Sequence, residues 1–361
     1  MRILMIPLDT FGVRSNELMP LRIRLLSLRN EIVGVRRDAP FAEGTVTLAT
    51  LTRFLWYAFK VLLYGLRHRK DFDLIFCQES FYALVGVCIS MLTGKPCIRD
   101  CVGVSREFCQ REKRSKPYTF ASLISSRIVS RFVKMMLVLS EVDKRAYVEQ
   151  GVAPDRIAVI PLNVDLTLAD EAAAEKQLLR ERLGLETNKR ILIFAGRREQ
   201  PHNKKAAWWI NDELAPRLSR RFDDVQILMT ASGEVPRPTH PAVTFTGFVP
   251  NVFEYFHASD IAIAPIELPT GVITIILDSM SCGKPTVVMA SAANGIPQLA
   301  DGHNAIVARD MGEFIEKTIN VLEHLSEAQE IGTRARKTIE EHYDWKMWEA
   351  RLGQVLQACL T

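Results

Sequence analysis

The sequence predicts an α/β protein built as two doubly wound domains, each a parallel sheet with helices on both faces. Three observations carry that expectation. The stretch from Asp260 to Ala290, DIAIAPIELPTGVITIILDSMSCGKPTVVMA, reads as strand, loop, helix and strand in succession, the building block of a parallel sheet. Short apolar runs alternate with amphipathic stretches along most of the chain. The length of 361 residues suits about two domains at ~150 residues each.

Within the central unit, DIAIAPI is a short apolar run led by Asp260, the pattern of a buried parallel strand. GVITIILDSMSC places Val272, Ile275, Ile276 and Met280 at helical spacing, and Gly283 follows as a C-terminal cap. The loop ELPTG lies between the carboxyl end of the strand and the amino end of the helix. Open α/β sheets bind ligands there, and free backbone N–H groups attract phosphate. Asp278 sits inside an otherwise apolar helix. A carboxylate is costly there, so either the position is exposed or the side chain holds something.

In chain order, MRILMIPL is the first strand and DTFG its turn. A dinucleotide-binding domain would carry GxGxxG at this turn; Gly12 alone is present, which argues against a dehydrogenase. The helix SNELMPLRIRLLSLRN, capped by Ser15, leads into the strand EIVGVRR. DFDLIFCQ is the next strand. Its Asp71-Phe72-Asp73 matches a DxD metal-binding pattern but precedes the strand, at the edge away from ligands. KPCIRDCVG ends in Arg99 and Asp100, either a pair facing a ligand cleft or a structural ion pair. MMLVLSEVDKRAYVEQGV is a strand and a helix capped by Ser140, and DRIAVIPLNVD is a strand ending in a turn.

From Leu166 the composition shifts to Ala, Glu, Lys, Leu and Arg without a strand. The expected division is therefore a first domain over 1–165, a helical connector over 166–186 and a second domain over 187–345. A terminal helix over 346–361 is expected to pack back on the first domain. The second domain opens with the strand RILIFAG, the loop RREQPHN and the helix KKAAWWINDELAPRL, with Asn203 as its N-cap. VQILMTA and VTFTG are further strands, and the carboxyl end is two helices broken near Tyr343 and Asp344.

Seven cysteines are scattered without a CxxC pair or zinc-finger spacing, the usage of reduced core thiols in the cytoplasm. MRILMIPL is too short and strand-like for a signal peptide. No uncharged apolar run reaches the ~18 residues needed to span a bilayer; FLWYAFKVLLYGL is interrupted by Lys60. Charge is uneven: residues 1–165 hold 25 Lys/Arg against 16 Asp/Glu, the remainder 21 against 26. A basic first half implies an anionic partner or ordinary surface charge. Two basic, apolar segments, 51–70 and 122–136, read either as helices lying on an anionic membrane or as buried helices with basic ends. Nucleic acid would explain the basic half but not the second domain.

Several segments, in order, resemble the GT-B glycosyltransferases of the retaining group-1, or family 4, type. DLIFCQESFYALVGVCISMLTGKP is similar to that family's strand–helix–strand before the cleft. LVLSEVDKRAYVEQGVAPDRIAVIPLNVD is similar to its segment ending in P-N-G-V-D. IFAGRREQPHNKKAAWWI is similar to its phosphate-binding G-R…K turn, and VTFTGFVPNVFEYFHASDIAIAPIE to the strand before its donor loop. LDSMSCGKPTVV resembles L-E-A-M-A-x-G-x-P-V-V.

The resemblance implies two Rossmann-like domains facing a cleft, with a nucleotide-diphosphate sugar held mainly by the second. It implies retaining transfer to a glycan or lipid-linked acceptor, with no cofactor beyond the donor, at the cytoplasmic membrane face; the residues separately predict that no metal is required, since the expected cleft has no carboxylate pair suited to Mg²⁺. The implied catalytic residues are Arg197, Lys205 and Asp278. Gly12, Gly196, Asn203, Lys204, Phe248, Thr270, Gly271, Val272 and Ile273 are the implied donor contacts, and Arg99 and Asp100 the acceptor-side candidates. Arg197 offers a fork to phosphate and Lys204 or Lys205 a point charge. The family's paired glutamates correspond to Thr270 and Asp278: the first is lost and the second is one methylene shorter. Thr270 keeps open a second expectation, a non-catalytic relative that binds a nucleotide sugar or a partner transferase.

Overall fold

The computed structural model describes residues 1–6, 26, 30–35, 48–78, 80–101, 116–267, 272–293 and 295–360. Gly12, the helix expected after Ser15, Thr270 and Gly271 lie outside the described residues. The chain divides into two units. The first runs to Pro161 and takes back the chain from Lys346; the second is Leu162–Trp345.

The first unit holds β1 (Arg2–Ile6), β2 (Glu31–Val33), β3 (Leu74–Gln78), β4 (Cys97–Asp100), β5 (Met135–Val138) and β6 (Ile157–Val159) in the order β2-β1-β3-β4-β5-β6. All pairings are parallel. β3 and β4 are buried at every residue; β3 accordingly reads as an apolar run up to Gln78 rather than an alternating one, whereas β4 buries the charged pair Arg99 and Asp100. The right-handed rule for parallel crossovers puts helices Leu48–Arg67, Ser80–Thr93 and Lys116–Phe132 on one face of this sheet. They pack side by side. Phe54 meets Tyr82 at 5.6 Å between ring centroids, and Tyr57 meets it at 5.8 Å.

The amino edge of this sheet explains the DxD look-alike. Asp73 accepts the Arg2 amide at 2.8 Å, Asp71 bonds His68 Nδ1 at 2.9 Å, and Phe72 is fully buried. Arg99 and Asp100 are both buried, and as strand neighbours they point to opposite faces. Arg99 donates to Ser126 Oγ at 3.0 Å and Ser130 Oγ at 3.4 Å. It therefore ties β4 to a helix rather than opening towards an acceptor. The described cysteines are free, and Cys88, expected in the core, is exposed.

The second unit holds β7 (Arg190–Ala195), β8 (Val225–Thr230), β9 (Val243–Gly247), β10 (Ile261–Ala264), β11 (Thr286–Met289) and β12 (Ile306–Ala308), in the order β12-β11-β10-β7-β8-β9. The chain starts in the middle at β7, winds out to β9, returns beside β7 as β10 and winds the other way. Helices then leave β7 and β10 towards opposite faces, and a crevice opens between the carboxyl ends of those two strands. Helix Thr274–Ser281 ends as expected: Gly283 has φ +64°. Its amide bonds Met280 O at 2.9 Å, and the Lys284 amide bonds Ser279 O at 3.0 Å, a Schellman closure that needs the left-handed residue.

The amino edge of the second sheet is closed by charge. Asp260 accepts from the Ile191 amide at 2.7 Å, Arg180 Nη2 at 2.8 Å and Lys176 Nζ at 2.7 Å. Arg180, itself buried, also donates to the carbonyls of Ala258, Thr187 and Lys189. Residues 166–186, expected as a connector, are thus built into the second unit, because the Lys176 and Arg180 side chains reach back under the sheet. Lys284 donates to His257 O and Ser259 O at this edge, and burial pulls its ammonium down to about 8.

Asp260 generates a stability prediction. Burial works to raise its pKa, but the bonds from Lys176 and Ile191 and the Arg180 charge hold it below the ordinary value of 3.8. A carboxyl lowered on folding stabilises the protein above its unfolded pKa, and that contribution is lost as pH falls through the folded value. Asp260→Asn is expected to cost about 3–5 kcal/mol at pH 7, since it leaves Arg180 buried without its counter-charge. Urea unfolding of both proteins should show the gap narrowing in acid below 3.8. A gap of the same size at every pH would contradict this role.

Candidate functional site

The carboxyl edge of the second sheet gathers most of the candidate residues. β7 ends at Ala195, and Gly196 follows because nothing larger fits: a Cβ there would lie 2.9 Å from both Asn203 Cγ and Phe194 Cζ. Asn203 donates through Nδ2 to Arg197 O at 3.0 Å. It is not the N-cap that its position in the sequence suggested. The helix is Pro201–Trp209, capped from Gln200 without a side-chain bond. Pro201 starts it one turn early, since proline at the first helical position has no N–H to satisfy and its φ is already helical.

Two adjacent arginines divide the work at this turn. Arg198 is buried and donates to four carbonyls: Glu234 at 2.9 Å, Thr230 at 3.3 Å, Ala231 at 2.7 Å and Gly233 at 3.4 Å. Its guanidinium also lies 4.9 Å from the centre of the Phe245 ring. Burial lowers its pKa from the ordinary arginine value. Arg198 therefore holds the loop after β8, while Arg197 is exposed at the end of β7.

The two lysines also separate. Lys204 pairs with Glu234 at 2.5 Å and lies 5.1 Å from the centre of the Trp208 ring, so it leans towards β8. Lys205 pairs with Glu267 at 2.5 Å, so it leans towards β10. Lys205 and Glu267 line a cavity of about 150 Å³ with His202, Trp209, Pro265 and Met311. This cavity lies at the switch point between β7 and β10. It is smaller than the ~300–1,000 Å³ of a pocket enclosing a drug-sized ligand, and the remaining groups are spread along the open edge.

Helix Thr274–Ser281 begins beyond β10 with Ile273 in the cap position and no side-chain cap. Its first N–H groups are therefore satisfied by no capping side chain of its own, and they carry the positive end of the helix dipole. Asp278 is half-buried, as is Thr274 one turn earlier, whereas Ile275, Ile276, Leu277, Ser279 and Met280 are buried. Residues four apart share a helix face, so Thr274 and Asp278 form the one polar, partly open stripe. Val272 is half-buried and Ile273 buried. Phe248 is 68% exposed at the end of β9, two strands from β7.

The sequence reading missed His202, Trp209, Glu267 and Met311. Glu267 is the first residue of the loop ELPTG. Its signal was a carboxylate directly after an apolar strand, at the carboxyl end. Trp209 and Met311 carried no signal, because apolar residues on helices read as core.

Residues 189–324 match the family described as Glycosyl transferases group 1. The UDP-Gal:α-D-GlcNAc-diphosphoundecaprenol α-1,3-galactosyltransferase of Escherichia coli is 23% identical over 280 residues, covering 72% of this chain and 69% of that protein. The structure of Anabaena Alr3699/HepE in complex with UDP-glucose superposes with a TM-score of 0.75 at 15% identity, covering 99% of this chain and 100% of that one. Sucrose-phosphate synthase from Thermosynechococcus elongatus superposes with a TM-score of 0.74 at 14% identity, covering 99% and 98%. Residues 189–324 thus match the group 1 glycosyl transferases, in a chain whose two parallel six-stranded sheets have the GT-B architecture.

Proposed function

We propose that this protein transfers a sugar from a nucleotide-diphosphate sugar to a glycan or lipid-linked acceptor, with retention of anomeric configuration and without a required metal. One observation carries the reading. Arg197 follows the end of β7 and is exposed, Lys205 lines the cavity with Glu267 after β10, and the helix after β10 starts without a side-chain cap and carries Asp278 on its partly open stripe. A diphosphate needs charge compensation, and two cations supply most of it. The helix terminus adds only ~0.3–1 kcal/mol. Support for a uridine diphosphate donor comes from the UDP-glucose complex of the Anabaena protein. Support for a lipid-linked acceptor comes from the diphosphoundecaprenol in the name of the Escherichia coli relative.

In this reading Arg197 grips the diphosphate through two parallel N–H bonds, and Lys205 exchanges Glu267 for a phosphate oxygen. Asp278 accepts the ribose hydroxyls, and Phe248 offers an apolar face to the base. As the bond to the sugar breaks, charge builds on the departing diphosphate, and these fixed cations stabilise it in place. By the sequence resemblance, Thr270 replaces the family's first glutamate, so no carboxylate is expected from that position. The acceptor then attacks on the face the diphosphate leaves, and the leaving phosphate takes the acceptor's proton. No nucleophile from the protein is required. An acceptor held in a bilayer suits work at an anionic membrane face. Among the described residues no helix is long and apolar enough to cross a membrane.

Thr270 also favours a second reading, a protein that binds the donor without turning it over. Release of UDP from UDP-sugars with a lipid-linked acceptor separates the two.

Three outcomes are expected. Arg197→Ala should weaken UDP binding about 10- to 100-fold by calorimetry, the loss of a charged contact worth ~1.5–3 kcal/mol, with Tm unchanged; Arg198→Ala should instead lower Tm. Unchanged UDP affinity in Arg197→Ala would remove it from the site. Asp278→Asn should fold normally and lose nucleoside affinity; a lower Tm with normal binding would make Asp278 structural. Transfer should persist in excess EDTA, with the donor's anomeric configuration in the product by early-time NMR. Activity lost in EDTA and restored by Mg²⁺, or an inverted product, would overturn the mechanism.

A further inference from the structure

Helices Leu48–Arg67, Ser80–Thr93 and Lys116–Phe132 are 20, 14 and 17 residues long and contain no Asp or Glu. They lie side by side on one face of the first sheet, so their solvent sides form one surface. The middle helix, SFYALVGVCISMLT, has no charged residue at all. It nonetheless exposes Met91 and Leu92, and each flanking helix exposes an apolar row. Trp56, Phe59 and Leu63 form one row and Phe120, Ile124, Ile128 and Phe132 the other; with Met91 and Leu92 these side chains are between 42% and 68% exposed. The second row is about 18 Å long at 1.5 Å per residue. Monomeric proteins rarely leave so extended an apolar surface without a partner.

The charges carried by these three helices have one sign. Arg127 and Arg131 are exposed beside the second apolar row, and Lys60 lies 5.3 Å from the centre of the Trp56 ring. All three helices end at the amino edge of the sheet, where Arg67, Arg69, Lys70, Lys95 and Lys134 follow. A groove of about 880 Å³ opens at that edge, lined by Met91, Lys95, Phe132, Lys134 and Arg156, with Asp155 its one acidic side chain. Aromatic and aliphatic side chains between basic ones suit a bilayer interface, where rings enter the acyl boundary and long cations stay among headgroups.

We infer that the outer face of these three helices docks on an anionic bilayer, with the amino-edge groove receiving phosphate headgroups. The inference gives the membrane contact of the proposed function a defined surface. It rests on that reading for its purpose, since a lipid-linked acceptor must be met where it is held. A second copy of the chain is a poor occupant, because the face would meet its own positive charge.

Co-sedimentation of the full chain with phosphatidylcholine vesicles, with and without phosphatidylglycerol, tests the inference in the absence of donor and acceptor. Failure of docking is thus separate from failure of transfer. Binding is expected to the anionic vesicles alone and to vanish in about 1 M salt, where the Debye length is about 3 Å. The charge reversal Arg127→Glu with Arg131→Glu should lower the partition at least about 25-fold, taking ~1 kcal/mol for each basic residue near the surface. Trp56→Ser with Phe59→Ser should weaken it at constant charge. Both doubly substituted proteins should keep the UDP affinity of the parent. Equal binding to neutral and anionic vesicles, or a charge-reversed protein that binds like the parent, would overturn the inference. So would sedimentation velocity showing a dimer that these substitutions dissolve.

Discussion

Parallel strands can be joined only by crossovers, and crossovers in one sheet take one hand. The rest of this molecule follows from that constraint. In each unit the chain starts within the sheet, winds outward on one side and returns to wind outward on the other. The reversal separates two strand ends that are neighbours in space, β7 and β10 in the second unit, and sends their helices to opposite faces. No side chain has to be spent on making the crevice. The second sheet also uses its two edges differently. Asp260, Arg180 and Lys176 close the amino edge with a partly buried charge network. The carboxyl edge is left to loops, exposed cations and a helix without a capping side chain.

Neighbouring residues of the same type are given unlike tasks, and burial makes the difference. Arg198 is inside, where four carbonyls compensate its desolvation; Arg197 is exposed at the end of β7. Lys204 and Lys205 are one helical step apart, about 100° around the axis. That step turns one towards Glu234 and the other towards Glu267 and the crevice. Asp260 and Asp278 flank β10 in the sequence. The first is buried in a network of cations at the amino edge. The second stays half-open on the helix beyond the carboxyl edge.

The charge bias of the first half acquires meaning from the same crossover rule. Successive helices that cross in one direction are laid on one face of the sheet. Three segments without a single carboxylate thereby become one surface, apolar in the middle and basic towards the helix ends. Scattered round the unit, the same residues would make ordinary solvated charge. Basic side chains at helix C-termini also complement the dipole, so part of the bias supports the helices themselves.

The sequence by itself determined the local pieces. The unit from Asp260 to Ala290, the Schellman glycine at Gly283, the Ser140 cap and the alternation of strands with helices were all legible, because each depends on residues within one or two turns of one another. The carboxyl-edge placement of Arg197, Lys205 and Asp278 was legible as well, since strand direction sets which loops fall at that edge. Tertiary structure decided what depends on distant partners. Residues 166–186 read as a connector because Lys176 and Arg180 look like surface charge until Asp260 lies beneath them. Arg99 read either as a ligand-facing cation or as half of a structural pair, because nothing nearby in the sequence announced Ser126 and Ser130. Glu267, Trp209 and Met311 meet across the switch point of the second sheet. Their meeting depends on strand order, which a linear pattern of apolar and polar residues does not encode.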